Sequence, residues 1–190
     1  MGLGTGSTVA HLLPALAERG LSGLRCVATS PATAARAREL GLPVEAFERL
    51  DHLDIAIDGA DQVDPAGWLV KGGGGAHTRE KIVAAAADRF VVIADHTKVV
   101  DALHLPVPLE LLSFGLPATL RAVAPTRLRD VPHSPDGGLI ADFQGDVGDP
   151  EALAERFEKV PGVVDHGLFP PTLTSDVLIA TGDAVEHREV

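Results

Sequence analysis

The chain has 190 residues, 45% hydrophobic and 23% charged, a composition of folded globular proteins with one sizeable core or two small ones. Sixteen basic against 27 acidic side chains give a formal net charge of −11, which argues against nucleic-acid binding; an anionic partner must be held by local N–H groups and a few lysines. No apolar run approaches the ~20 residues of a membrane span, no signal peptide precedes the first motif, and the lone cysteine, Cys26, fits a reducing cytoplasm.

Residues 1–4 read as a strand stub, followed by a Gly/Ser/Thr loop and a helix with Val9, Leu12, Leu13 and Leu16 on one face. Thr5, Gly6, Ser7 and Thr8 can hold an anion through hydroxyls and backbone N–H groups; the plain alternative is that Ser7 or Thr8 only caps the helix. The loop lacks both the lysine of a nucleotide P-loop and the third glycine of a dinucleotide fingerprint. Pro14 predicts a kink or a lost hydrogen bond inside the helix. A buried strand over 24–28 follows, with Cys26 as a small apolar residue. Next come a helix capped by Ser30 with Pro31 in its first turn, a weak edge strand over 43–47 and a stronger strand over 53–57. A strand over 68–70, a helix over 78–88 and a strand over 90–94 complete a strand–helix alternation.

From about residue 106 the texture changes. A strand over 107–111, a helix over 117–124, a hairpin of 126–129 with 139–143 around PDGG, a capped helix over 149–160 and a strand over 163–169 are expected, and a buried strand over 176–180 returns to the first domain. The fold class is therefore α/β: a parallel-sheet Rossmann-like domain, 1–105 plus 171–190, with a smaller α+β ferredoxin-like domain, 106–170. In such parallel sheets ligands gather at the carboxyl ends of strands, where Thr5–Thr8, Asp58–Asp61 and Asp95–Lys98 all stand.

The densest chemistry lies between residues 57 and 81. Four consecutive glycines, Gly72 to Gly75, carry a conformational-entropy cost that is best explained by positive φ or close approach to a ligand. Lys71 precedes them, and Glu80 stands in the first turn of the next helix, where the dipole favours a carboxylate. Asp58 and Asp61 flank Gly59 and Ala60 and can meet sugar hydroxyls; Lys98 supplies a second cation. A divalent-metal site is the competing thought for this acidic run, but its spacing lacks the alternating ligands of a calcium loop, and Asp51, Asp54 and Asp64 read as turn or cap residues. The histidines show no paired-ligand spacing, and His77 and His96 read as local variations.

Together GTGST at 4–8, DGAD at 58–61, KGGGGAHTREK at 71–81 and ADHTK at 94–98, extended by PGVVDHGLF at 161–169, resemble in order and spacing the signature segments of the A-type ribose-5-phosphate isomerases. The resemblance implies an aldose–ketose isomerase of the non-oxidative pentose phosphate pathway. Such an enzyme interconverts D-ribose 5-phosphate and D-ribulose 5-phosphate through an enediol, without metal or cofactor. It places the proton-shuttling glutamate at Glu80 and gives Asp58, Asp61 and Lys71 catalytic parts. Thr5, Gly6, Ser7, Thr8, Gly59, Ala60, Gly72, Gly73, Gly74 and Lys98 join them in binding substrate. It further implies a homodimer or homotetramer. The family carries about one more helix ahead of the GTGST loop, whereas Met1 here stands almost against it, an absence that would uncover part of the sheet. The rival class is a non-catalytic sugar-phosphate sensor, which normally carries a helix-turn-helix and would bind without turnover. A related deaminase or acyl-CoA transferase fits the motifs less well.

Overall fold

The computed structural model of the chain describes residues 1–104 and 106–190. In chain order the elements are β1 (Gly2–Leu3), α1 (Ser7–Glu18), β2 (Val27–Ala28), α2 (Pro31–Glu39), β3 (Ala56–Asp58), β4 (Gln62–Val63), β5 (Leu69–Val70), α3 (His77–Ala85) and β6 (Phe90–Asp95). There follow β7 (Val107–Leu111), α4 (Leu116–Ala122), β8 (Thr126–Leu128), β9 (Leu139–Phe143), α5 (Pro150–Glu158), β10 (Val163–His166), β11 (Leu168–Phe169), β12 (Asp176–Thr181) and β13 (Ala184–Glu189). Two compact units result: Met1–Gly59, Arg79–Thr97 and Thr172–Val190 form the first, Ala60–Thr78 and Lys98–Pro171 the second. Residues 60–78 and 98–104 thus pack with the second unit, although the sequence suggested the first domain for them; the expected boundary at residue 105 lies outside the described residues.

The first unit is built on a six-stranded sheet of order β13-β12-β6-β3-β1-β2, parallel except for β13. The chain runs outward from β1 to β2 and returns to β3 on the other side, so the order reverses between β1 and β3. Almost the whole of β6 is buried, which is why it reads as the continuous apolar run FVVIA. Leu3, Val9, Leu13, Leu16, Cys26, Ala37 and Leu42 form a core of sheet and helix residues, at ~1.5–3 kcal/mol for each large aliphatic side chain fully buried. As expected, Ser30 caps α2 by accepting from the Thr33 N–H at 3.2 Å, and β12 returns alongside β6.

Of three local expectations, two are corrected and one, the hydrogen bond lost at Pro14, holds. Gly6, at φ 125° and ψ 178°, is the N-cap of α1, and neither Ser7 nor Thr8 caps it, because the chain enters the helix in a conformation that only glycine adopts easily. Pro14 removes a donor without ending α1, which runs on to Glu18. The expected edge strand over 43–47 shrinks to a single bridge between Val44 and Cys26, since Pro43 has no N–H to give and the chain turns into a 3-10 helix at Phe47–Arg49.

In the second unit a four-stranded antiparallel sheet of order β10-β7-β9-β8 carries α4 and α5, giving the β-α-β-β-α-β ferredoxin-like succession. Its core contains Val107, Leu109, Leu111, Phe143, Leu153 and Phe157, with the rings of Phe143 and Phe157 edge to face at 5.2 Å. Asp149 caps α5 through the Glu151 and Ala152 N–H groups. The strand expected over 163–169 is broken at Gly167 into β10, on this sheet, and β11, which joins β5 and β4 in a separate three-stranded sheet.

Candidate active site

The first unit places Thr5–Thr8 and Asp58 at the carboxyl ends of β1 and β3, the point where strand order reverses and where parallel sheets bind ligands. Gly4 passes Asp58 so closely that a Cβ there would lie 1.9 Å from the carboxyl carbon. Only 2% exposed, the Asp58 carboxylate accepts from the Thr5 N–H at 3.0 Å and from the Gly59 N–H at 2.7 Å. Thr5 and the buried Thr29 share a hydroxyl hydrogen bond at 2.7 Å, and Thr33 donates to the Gly4 carbonyl at 2.9 Å. The loop after β1 is therefore pinned from two neighbouring strand ends and a helix. Ser7 and Thr8 line a cavity of about 440 Å³ together with His11, Ile93, Asp95 and Leu178. Glu80 belongs to this unit, in the first turn of α3, and is 4% exposed.

The second unit holds the remaining expected residues. Half-buried Ala60 leads into Asp61, whose carboxylate accepts from the Gly73 N–H at 2.8 Å. A Cβ on Gly73 would sit 3.0 Å from that same carboxylate. Lys71 is 2% exposed, with its ammonium 5.5 Å from the centre of the Phe169 ring, and its N–H donates to the Gly167 carbonyl at 2.8 Å. Gly72, at φ 99°, turns against fully buried His77, whose ring a Cβ would meet at 2.7 Å. Gly72 and Gly75 close a turn, and Gly73 and Gly74 are exposed at its tip. Half-buried Lys98 follows β6, and its neighbour Val99 bridges to Val63, two positions beyond Asp61.

Each aspartate of the DGAD segment is thus bound to a glycine-bearing loop of its own unit, Asp58 to the first and Asp61 to the second. Sequence spacing suggested ligand hydroxyls for these carboxylates and gave no hint of these backbone partners. It also passed over two groups in the second unit. Arg129, just past β8, donates to the Gly72 carbonyl at 3.0 Å and the Gly73 carbonyl at 2.9 Å. Glu110, 2% exposed on β7, accepts from Thr78 at the start of α3 and from Ser134. Nothing in spacing could link residue 129 to a loop more than fifty positions earlier; only the hairpin register does so. Among the described residues, no group of His, Cys, Asp and Glu side chains is arranged to hold a metal ion.

Comparison with known proteins follows the same lines. The profile of the family described as ribose 5-phosphate isomerase A (phosphoriboisomerase A) matches residues 25–184. Ribose-5-phosphate isomerase A of Bradyrhizobium diazoefficiens is 43% identical over 212 residues, an alignment covering 100% of this chain and 88% of that protein. The crystal structure of ribose 5 phosphate isomerase A from Neisseria gonorrhoeae superposes with a TM-score of 0.94 at 31% identity, over 99% of this chain and 87% of that one. A D-ribose-5-phosphate isomerase in complex with phospho-erythronic acid gives 0.92 at 33% identity, over 100% and 90%. On the strength of the profile match and of similarity along its full length, the chain belongs to the ribose 5-phosphate isomerase A family.

Proposed function

We propose that the chain interconverts D-ribose 5-phosphate and D-ribulose 5-phosphate through an enediolate, with Glu80 as the base. The aldose becomes the ketose when a proton leaves C2 and one is delivered to C1. Glu80 takes the C2 proton of the open-chain sugar, leaving an enediolate with its charge on O1; the O2 hydroxyl proton passes to O1, and Glu80 returns its proton to C1 so that the carbonyl stands at C2. The observation that carries this reading is the burial of Glu80, at 4% exposure in the first turn of a helix that follows the glycine loop. A base shielded from water can keep the proton it has taken, and the helix N-terminus favours negative charge beside it.

In this reading Lys71 stabilises the developing oxyanion. Asp58 and Asp61 serve ring opening and the sugar hydroxyls while fixing their loops. Thr5, Gly6, Ser7, Thr8, Gly59, Ala60, Gly72, Gly73, Gly74 and Lys98 contact the substrate, and neither metal nor cofactor takes part. The related isomerase bound to phospho-erythronic acid supports a sugar-phosphate substrate, because that ligand is itself a phosphorylated sugar acid. A homodimer or homotetramer in the cytoplasm completes the proposal, the assembly being measurable by light scattering.

The test is conversion of ribose 5-phosphate by the purified chain with chelator present, beside Glu80→Gln. Turnover by the wild type and a loss of ~10²-fold or more in the variant is the expected result. Equal turnover in the variant would remove Glu80 from the mechanism. Binding without turnover by the wild type would favour the sensor.

A further inference from the structure

Arg129 and the glycine loop carry an inference that rests on the isomerase reading and deepens it. Leu128 pairs with Ala141 across the β8–β9 hairpin, and the Arg129 N–H donates to the Ile140 carbonyl at 2.8 Å. Asp142 is then the diagonal neighbour of Arg129 on the same face of the hairpin. The guanidinium grips it with both ends of its fork, Nε to Oδ2 at 2.8 Å and Nη2 to Oδ1 at 2.6 Å. Nη1, the nitrogen left over, donates to the Gly72 and Gly73 carbonyls. Ile140 lies 3.3 Å from where a Cβ of Gly75 would stand, so this face of the hairpin backs the whole glycine turn.

A trans peptide points its C=O and N–H in opposite directions. Fixing the Gly72 carbonyl on Arg129 aims the Gly73 N–H away from the guanidinium, and there it meets the Asp61 carboxylate at 2.8 Å. By the same geometry, fixing the Gly73 carbonyl aims the Gly74 N–H away from Arg129. Glycines have no side chains to hold such a turn in one conformation; the Gly75 N–H donates to the Gly72 carbonyl within it, and the remaining hold on both peptide planes comes from Arg129 outside it.

We propose that Arg129, braced by Asp142, is a positioning residue for the isomerase: it sets the peptide planes of Gly72–Gly74 so that the Gly73 N–H holds Asp61 and the Gly74 N–H faces an anionic substrate. It touches no substrate itself. Lysine cannot replace it, because one ammonium cannot fork onto Asp142 and reach two carbonyls as well.

The experiment compares the wild-type chain with Arg129→Met, Arg129→Lys and Arg129→Ala. The readouts are kcat, KM, the Kd of phospho-erythronic acid as probe, and the unfolding midpoint. Expected are folded variants in which kcat/KM falls by ~10²-fold and probe affinity by ~10-fold, with lysine no better than methionine. Added methylguanidinium should recover part of the loss in Arg129→Ala, which a purely structural defect would not allow. Kinetics and probe affinity within twofold of wild type in Arg129→Met would overturn the proposal. So would losses that merely follow the unfolded fraction and show no rescue. Should the wild type bind the probe but not isomerise, the isomerase reading fails alone, and a drop in probe affinity on losing Arg129 still upholds the positioning role.

Discussion

Gly4 leaves no room for a side chain beside Asp58, whose carboxyl carbon a Cβ would approach to 1.9 Å. Any side chain at position 4 must displace the carboxylate that holds the Thr5 and Gly59 N–H groups. Gly4→Ala is therefore expected to destabilise the chain by ~1–3 kcal/mol and to lower kcat/KM at least tenfold, checked by urea denaturation and steady-state kinetics. Asp176 gives a prediction of another kind. Arg89 binds its carboxylate at 2.6 and 2.9 Å and His187 at 2.6 Å, and these hydrogen bonds hold its pKa down to about 2 from 3.8. A carboxylate with a depressed folded-state pKa contributes stability wherever both states are ionised, and that contribution drains away as pH falls through the folded value. The gap in unfolding midpoint between wild type and Asp176→Asn should thus be full at pH 7 and narrow between about pH 4 and pH 2. Asp58, Lys71 and Glu80 were marked as candidates by the sequence because each stands inside a short motif of unusual composition. Arg129 and Glu110 were not, since an arginine at a hairpin end and a glutamate in an apolar strand look ordinary until the register brings them to their partners.

At the level of elements, the glycine that divides β10 from β11 is hemmed in by backbone and by a proline ring. A Cβ on Gly167 would lie 2.2 Å from the Lys71 carbonyl and 2.8 Å from Pro108. The backbone of Gly167 donates to the Pro108 carbonyl at 2.7 Å and accepts from Lys71 at 2.8 Å. Gly167→Ala should cost about 3 kcal/mol or more by forcing the strands apart, and should impair turnover through Lys71; thermal melts and kinetics check the pair of effects. Elements with clean periodicity were legible: β9 lies where alternation put it, and the Asp149 cap begins α5. β4 was hidden within an acidic turn and exists because Gln62–Val63 pairs with Leu69–Val70. β13 was missed for a different reason. Its charged sequence suits an exposed edge, and only the hairpin turn at Gly182, φ 59°, folds it onto β12.

Across the whole molecule, fold class was readable from the alternation of strands and helices, and the return of the chain to the first unit near residue 171 was readable too, whereas the short exchanges between units before it were not. Of the four unit boundaries, three fall inside a recognised motif, between Gly59 and Ala60, Thr78 and Arg79, and Thr97 and Lys98, where hydrophobic pattern carries no signal of which core a residue joins; the fourth lies between Pro171 and Thr172. The two cores also differ in an experimentally useful way. Cys26 is fully buried in the first, and burial pushes its thiol up, so that the reactive thiolate is scarce while the unit is closed. Trp68 packs against the second, and with no tyrosine in the chain its indole dominates the near-ultraviolet emission. Nature has thereby labelled each unit once: the rate at which a thiol reagent traps Cys26 clocks opening of the first, and the emission colour of Trp68 follows the second. One untagged sample in a stopped-flow cell can thus tell whether the halves let go together or in turn.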